Sequence, residues 1–308
     1  MGRKQDVKKR LVWLAAMLLL AGAVYARFKA EADRGAPAEP AASGIITETA
    51  TGPEAPAPAN HAPSSELAIR VAADQVHKGN LLLVNETLAV PPNDADDEAV
   101  NLFQHRELVN GFGLLDNKIR LSPAMTAKFA DMIKEAAKDG VDHFLISSGY
   151  RNDAEQEALY EQLGPDIAAV PGHSEHSLGL ALDIGSTKAQ MKDAPEGKWL
   201  KANAWKYGFI ARYPEDKTAV TGVIDEPWHF RYVGLPHSAI MHDNHWAFEE
   251  YLDALKARQS MTETVGNDAY AVYYYPVSAD TTLRVPATGS YELSGNNTDG
   301  VIVTVMKS

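Results

Sequence analysis

Hydrophobic and polar positions divide this 308-residue chain into stretches of different texture. Leu11 to Ala26 is an unbroken apolar run preceded by Arg3, Lys4, Lys8, Lys9 and Arg10. Basic residues followed by an apolar run are the layout of a secretory signal or signal anchor, with the charged end kept in the cytoplasm. As a helix this run reaches roughly 24 Å, short of the ~30 Å hydrocarbon core. Val24 and Ala26 suit a signal peptidase, so residues 1–26 fit either an anchor or a cleaved signal. Residues 27–66 are rich in Ala, Pro, Ser, Thr and Glu. They hold too little apolar surface to offset chain entropy and read as a disordered linker.

From about Ala68 helical and strand periodicities alternate. Asn80–Val84 is a short apolar run bounded by Lys78-Gly79 and Pro91-Pro92, the pattern of a buried strand. Ser122-Pro123 places an N-cap before a proline at the first helical position. Met125, Phe129, Met132, Ile133 and Ala136 give that helix one apolar face, and Gly140 ends it. Phe144–Ser148 reads as a strand running into the turn Ser148-Gly149-Tyr150-Arg151, after which Asn152 caps a helix carrying Leu159 and Leu163. Leu178, Leu180, Leu182 and Ile184 alternate with Gly179, Ala181 and Asp183, as in a further strand. Trp199–Tyr207 is expected as a helix, with Phe209–Arg212 and Trp228–Val233 as strands. In the last of these, Trp228, Phe230 and Tyr232 share one face and His229 and Arg231 the other. Phe248, Tyr251, Leu252 and Leu255 mark a closing amphipathic helix.

Beyond Thr264 only strand-like runs remain: Tyr270–Val277, Thr281–Val285, Ser290–Leu293 and Val301–Met306. The aromatic run Tyr270, Tyr273, Tyr274 and Tyr275 is expected to pack in a core or along an edge. The predicted class is α+β. A small antiparallel sheet flanked by helices occupies residues 67–258, and a small all-β appendage occupies 264–308.

Composition narrows the chemistry. The net charge of -12 argues against a nucleic-acid partner, which wants a basic face. The chain has no cysteine, which excludes disulfides, thiolate metal sites, cysteine nucleophiles and a lipoprotein anchor. Any catalytic metal must rest on nitrogen and oxygen ligands.

Such a set is present. His176 precedes Asp183 in the stretch Pro171–Gly185, and Glu226 and His229 follow in Glu-Pro-Trp-His. Two imidazoles and one carboxylate are a three-ligand set for one zinc ion, with a position left open. Glu226, beside the last histidine, has the character of a general base. Pro227 keeps it out of helical geometry, in the turn before a strand. His176 and Asp183 are an odd number of residues apart, so in one straight strand they would point to opposite faces. His176 must therefore sit on the loop before the strand, or the chain must bend near Gly179. Arg151 follows a strand end and a glycine turn, where a guanidinium can hold a carboxylate or a developing oxyanion. His173 reads as a second layer or pocket wall, and His242 and His245 as surface or capping residues.

The pattern Ser174-x-His176-x-x-Gly179-x-Ala181-x-Asp183 followed by Glu226-x-x-His229 resembles the VanY-type D-alanyl-D-alanine carboxypeptidases. These share the hedgehog/D-Ala-D-Ala peptidase fold. Ser148-Gly-Tyr-Arg151 with Gln156, Tyr207-Gly-Phe209 with Arg212-Tyr-Pro214, and Glu226 through Gly234 support the likeness, which spans about Ala68 to Leu255. The resemblance implies His176, Asp183 and His229 as zinc ligands and Glu226 as catalytic base and later acid. It implies Arg151 as transition-state stabiliser or substrate anchor, Gln156 and Ser174 as substrate contacts, and Trp228 as a wall of the site. The implied reaction is removal of the terminal D-alanine from peptidoglycan precursors or stems ending in D-Ala-D-Ala, an activity that in some members supports resistance to vancomycin-type glycopeptides. An LD-carboxypeptidase acting on tetrapeptides and an endopeptidase cutting cross-links use the same motif. A non-catalytic wall-binding module shares the scaffold but has no need of Glu226.

Overall fold

A computed structural model describes residues 66–307, Asp166 and Thr288 excepted. The expected signal or anchor over 1–26 and the linker up to residue 65 lie outside the described residues. Among those described, no helix is long and apolar enough to cross a membrane.

Strand β1 (Glu66–Val71) opens the described chain, and β2 (Val100–Asn101) pairs with β4 (Arg120–Leu121). The central sheet has five strands: β3 (Gly113–Leu114), β5 (Phe144–Ser148), β6 (Ala181–Ser186), β7 (Phe209–Ala211) and β8 (His229–Tyr232), in the order β3-β5-β6-β8-β7. Its pairings are antiparallel except for the parallel edge pair β3–β5. Helix α1 (Pro123–Lys138) starts where Ser122 accepts a hydrogen bond from Met125 N–H at 3.1 Å. Helix α2 (Asp153–Leu163) starts on a capping box made by Asn152 and Glu155. The expected helix over Trp199–Tyr207 begins earlier, as α3 (Pro195–Asn203), and tightens into a 3-10 turn at Ala204–Tyr207. Helices α4 (His237–Asn244) and α5 (Phe248–Arg258) follow β8.

Burial sorts the two faces of the sheet. Phe144, Ile146, Leu182, Ile184 and Phe230 join Phe129, Met132 and Ile133 of α1 and Trp199 and Leu200 of α3 in one core. Alternation then sends Asp183, His229 and Arg231 to the opposite face. The sheet is thus apolar on one side and carries its chemistry on the other.

Asn80–Val84 is not a strand. Leu81, Leu82, Leu83 and Val84 are buried, as the apolar run required, but side chains and loops satisfy the backbone in place of a ladder. Arg231 Nη2 donates to the carbonyls of Asn80 and Leu82 at 2.9 Å each. Leu81 N–H donates to Ser294 Oγ at 2.8 Å, and Asn297 Nδ2 donates to Leu83 O at 2.9 Å. A buried backbone needs partners, and these need not be strands.

The C-terminal strands are β9 (Ser260–Val265), β10 (Asp268–Pro276), β11 (Thr281–Pro286), β12 (Ser290–Gly295) and β13 (Gly300–Lys307). Four form an antiparallel sheet in the order β12-β13-β10-β9, while β11 pairs with β1 at the far end of the sequence. An all-β C-terminal segment is therefore present, but it is less separate than an appendage over 264–308. It begins at Ser260, recruits Glu66–Val71, and lies in one compact unit with the other described residues. Val272, Tyr274 and Ile302 share a core with Phe248, Tyr251 and Leu255 of α5 and with Leu81. Tyr270 and Tyr274 are buried, and Tyr273 and Tyr275 pack against the valines of β11 and β13, so the aromatic run is core.

Ending the chain at Gln259 is accordingly expected to abolish cooperative folding. Each large side chain stripped of cover costs about 1.5–3 kcal/mol, against a total stability of only about 5–15 kcal/mol. Calorimetry checks this: a truncated chain melting close to the full-length protein would show the β segment to be dispensable.

Candidate active site

Asp183 and His229 face each other as a paired position of β6 and β8. His176 reaches them from Glu175–Leu178, a single 3-10 turn that ends at Gly179 with φ 68° and ψ 10°. That left-handed conformation, which side chains with a Cβ seldom adopt, turns the chain between His176 and the strand and resolves the odd spacing. Gly149 meets a different need. A Cβ there would lie 2.2 Å from Arg120 O, so only glycine allows the close passage beside β4. Its carbonyl accepts a hydrogen bond from His176 Nδ1 at 2.7 Å and leaves Nε2 to face the site.

His176 Nε2 and His229 Nδ1 lie 3.4 Å and 3.2 Å from Asp183 Oδ1. All three donor atoms fall within 4.8 Å of one another. Ligand atoms about 2.0–2.2 Å from a tetrahedral metal ion lie roughly 3.3–3.5 Å apart, so the spacing fits one ion. Asp183 Oδ1 is buried without a hydrogen-bond partner, a costly arrangement unless a cation satisfies it. The donors that the sequence singled out are therefore assembled in a geometry that fits a metal. His173 is not among them: its Nδ1 contacts Asn85 O at 2.7 Å. His242 and His245 lie exposed on the surface.

The electrostatics suit a cation. Burial favours neutral Asp183, but the two imidazoles overcome this and hold its carboxyl far below the usual range. Burial and the Arg151 guanidinium press His176 down to about 4, which keeps it neutral as a ligand must be. Burial also disfavours the charged form of His229, yet the carboxylates of Asp183 and Glu175 beside its ring push it up to about 9, so without an ion this imidazole carries a proton that metal binding must displace. Glu226 sits before β8 with Oε2 3.8 Å from His229 Nδ1. Burial, reinforced by the charge on Asp183, pushes it up to about 7. A carboxyl poised there can take up and release a proton near neutrality.

Arg151 lies beside this cluster, held on three sides. Its Nε donates to Gln156 Oε1 at 2.9 Å, its Nη1 to Ser148 Oγ, and its Nη2 to Ser174 Oγ at 3.5 Å. A register shift in β5 between Ile146 and Ser148 sets the chain's approach to this turn. Gln156 is fully buried and also donates to Ala169 O at 2.7 Å, so both ends of its amide are engaged within the protein. The geometry makes it a brace for Arg151 rather than a free substrate contact. Ser174 is buried beside the guanidinium. Trp228 is 40% exposed at the rim, one residue before His229.

Sequence reasoning missed Glu175. Its side chain is fully buried and receives Arg212 Nε at 2.9 Å and Arg231 Nη1 at 2.8 Å on Oε1. Arg212 also forks onto Glu249 of α5, at 2.9 and 2.6 Å. Two signals in the sequence point to it. Glu175 directly precedes His176, one of the candidate donors, and Arg231 shares the buried face of His229 and so must find a counter-charge. Tyr213 packs against the His229 ring with centroids 4.9 Å apart.

Comparison with known proteins agrees with this geometry. The family profile described as VanY, D-alanyl-D-alanine carboxypeptidase, matches residues 118–235. A D-alanyl-D-alanine carboxypeptidase of Enterococcus faecium is 52% identical over 235 residues, covering 76% of this chain and 78% of the relative. The bifunctional D-Ala-D-Ala dipeptidase and D-Ala-D-Ala carboxypeptidase VanXYC of Enterococcus gallinarum is 35% identical over 156 residues, covering 46% and 81%. Among solved structures, the vancomycin resistance D,D-dipeptidase VanXYg, in complex with a D-Ala-D-Ala phosphinate analogue, matches with a TM-score of 0.69 and 30% identity. That match covers 79% of this chain and 100% of the other. Fold and site together define an α+β peptidase with a metal-binding donor set. The chain belongs to the VanY family of D-alanyl-D-alanine carboxypeptidases.

Proposed function

We propose that this chain is an exported, zinc-dependent DD-carboxypeptidase that removes the terminal D-alanine from peptidoglycan pentapeptide stems or precursors ending in D-Ala-D-Ala. The observation that carries the reading is the partnerless, buried Asp183 Oδ1 between two imidazole nitrogens, with Glu226 at its side and Arg151 braced nearby. His176, Asp183 and His229 would hold the zinc ion. Bound there, zinc supplies Lewis-acid polarisation and makes water acidic enough to ionise near pH ~7.

The other steps fall to side chains of this chain. Glu226 takes a proton from the attacking water, whose oxygen adds to the carbonyl carbon of the D-Ala-D-Ala peptide bond. Arg151 meets the negative charge that develops on the carbonyl oxygen, or grips the terminal carboxylate. As the carbon–nitrogen bond breaks, Glu226 returns the proton to the leaving amine of D-alanine. Ser174 lines the approach beside Arg151, and Trp228 walls the open side. The basic and apolar order of residues 1–26 supports export, as a membrane-anchored or a cleaved form, which matches a substrate outside the cytoplasm. Trimming D-Ala-D-Ala ends in that compartment would support glycopeptide resistance, in keeping with the VanXY- and VanY-type relatives.

A muropeptide panel tests the reading. The purified protein should remove one alanine from pentapeptides and leave tetrapeptides intact by mass spectrometry. A chelator should stop the reaction and added zinc restore it. Trimming of tetrapeptides would make it an LD-carboxypeptidase. Tight wall binding without hydrolysis would make it a binding module.

A further inference from the structure

The donor set leaves one choice open: a histidine can bind a metal through either ring nitrogen, and the tautomer decides which one is available. For His176 the carbonyl of Gly149 makes the choice, since a carbonyl can only accept and Nδ1 must carry the hydrogen. His229 is turned the other way, with Nδ1 toward Asp183 and Nε2 toward the interior. Among the described residues, the only hydrogen-bond partner of that Nε2 is Glu175 Oε2, at 3.4 Å.

We infer that Glu175 is the positioning residue of the metal site: its carboxylate accepts the Nε2 hydrogen of His229 and so presents Nδ1 as the ligand atom, while Arg212 and Arg231 hold that carboxylate in place. The inference rests on the reading of His176, Asp183 and His229 as ligands. Carboxylate–histidine–metal arrangements of this kind fix the ring and raise its basicity toward the ion. Here the carboxylate is anchored unusually firmly. Both arginines donate to Oε1, which leaves Oε2 for the histidine. Arg212 is in turn fastened to Glu249 of α5, and Arg231 to the carbonyls of Asn80 and Leu82. A ligand on β8 is thereby tied to the closing helix and to the buried segment that abuts the C-terminal strands. This also accounts for a fully buried carboxylate with two fully buried guanidiniums, an assembly whose desolvation makes it a poor device for stability alone.

The chemistry of Glu175→Gln makes the role separable from packing. The two arginines donate and would claim the amide oxygen, which turns the amide NH2 toward His229 Nε2. A donor facing Nε2 favours the tautomer with hydrogen on Nδ1, which cannot bind a metal. Glu175→Asp keeps the charge and the accepting oxygens on a shorter arm.

The test uses the full chain with zinc alone as probe. Zinc affinity, measured by competition with a chromophoric chelator, should fall about 10–100-fold in Glu175→Gln and be partly rescued in Glu175→Asp. Thermal unfolding of the metal-free proteins reports whether each variant folds. NMR of isotope-labelled histidine nitrogens in the zinc-loaded unsubstituted protein gives a second readout that needs no variant. It should show Nε2 of His229 carrying hydrogen and Nδ1 shifted by the metal. A folded Glu175→Gln protein that binds zinc as tightly as the parent overturns the inference, as does a His229 bound through Nε2. Zinc held through Nδ1 without release of D-alanine would leave this inference standing and remove the proposed activity. Failure of the parent chain to bind zinc would remove the ligand reading and this inference with it.

Discussion

Replacing Glu226 by Gln should leave the metal in place and cut release of D-alanine roughly a thousandfold, the usual scale for losing a general acid–base group. The two halves of that expectation come from different observations. Retention of metal follows because the donor set closes on His176, Asp183 and His229 without Glu226, whose carboxylate stands 3.8 Å from the nearest ligand nitrogen. Loss of rate follows because burial has pushed this carboxyl up to about 7, which matches it to proton transfer near neutrality, whereas Gln can neither take nor return the proton. Metal analysis of the purified variant beside a D-alanine assay separates the two. Undiminished activity would refute the assignment of the base, and loss of zinc would recast Glu226 as a ligand.

Replacing Arg151 by Ala should cost about 10²–10³ in kcat/KM, as expected when a preorganised donor to a developing oxyanion is removed. The guanidinium is braced before substrate arrives by Gln156, Ser148 and Ser174, so little reorganisation is needed when charge appears. Burial lowers its pKa, opposed by the negative charges on Asp183 and Glu226; it nevertheless remains a cation at neutral pH. Arg151→Lys should stay impaired, because a single ammonium cannot reproduce the fork that spans these partners. The split between parameters identifies the role. A fall in kcat marks stabilisation of the transition state, and a rise in KM alone marks a grip on the substrate carboxylate. A variant with unchanged kcat/KM would exclude Arg151 from both tasks.

The candidate donor set was readable from the sequence because its members sit at short spacings, and strand alternation limits where each side chain can point. His229 and Arg231 on one face of β8 and Phe230 and Tyr232 on the other follow from a period of two. The same parity required a bend between His176 and Asp183, which the left-handed Gly179 supplies. The α1 helix was equally legible, since an N-cap serine, a proline and five spaced apolar residues act within a few turns of chain. Three features were not legible. Asn80–Val84 has the composition of a strand but no ladder, because its partners are side chains more than a hundred residues away. Strand β1 pairs with β11 across nearly the whole described chain. Gln156 is marked by the motif, yet only its buried position and its doubly engaged amide show that it braces Arg151.

By itself, then, the sequence determined the local elements, the candidate donor residues and the neighbouring Glu226, since each depends on spacing within a strand, a turn or a helix. The tertiary structure alone decided how those donors are held. Glu175, Arg212, Arg231 and Glu249 come from a turn, the bend just after one strand, the middle of another and a helix. No periodicity links them. Charges taken out of water must be paired in space, and only the folded chain determines which ones meet.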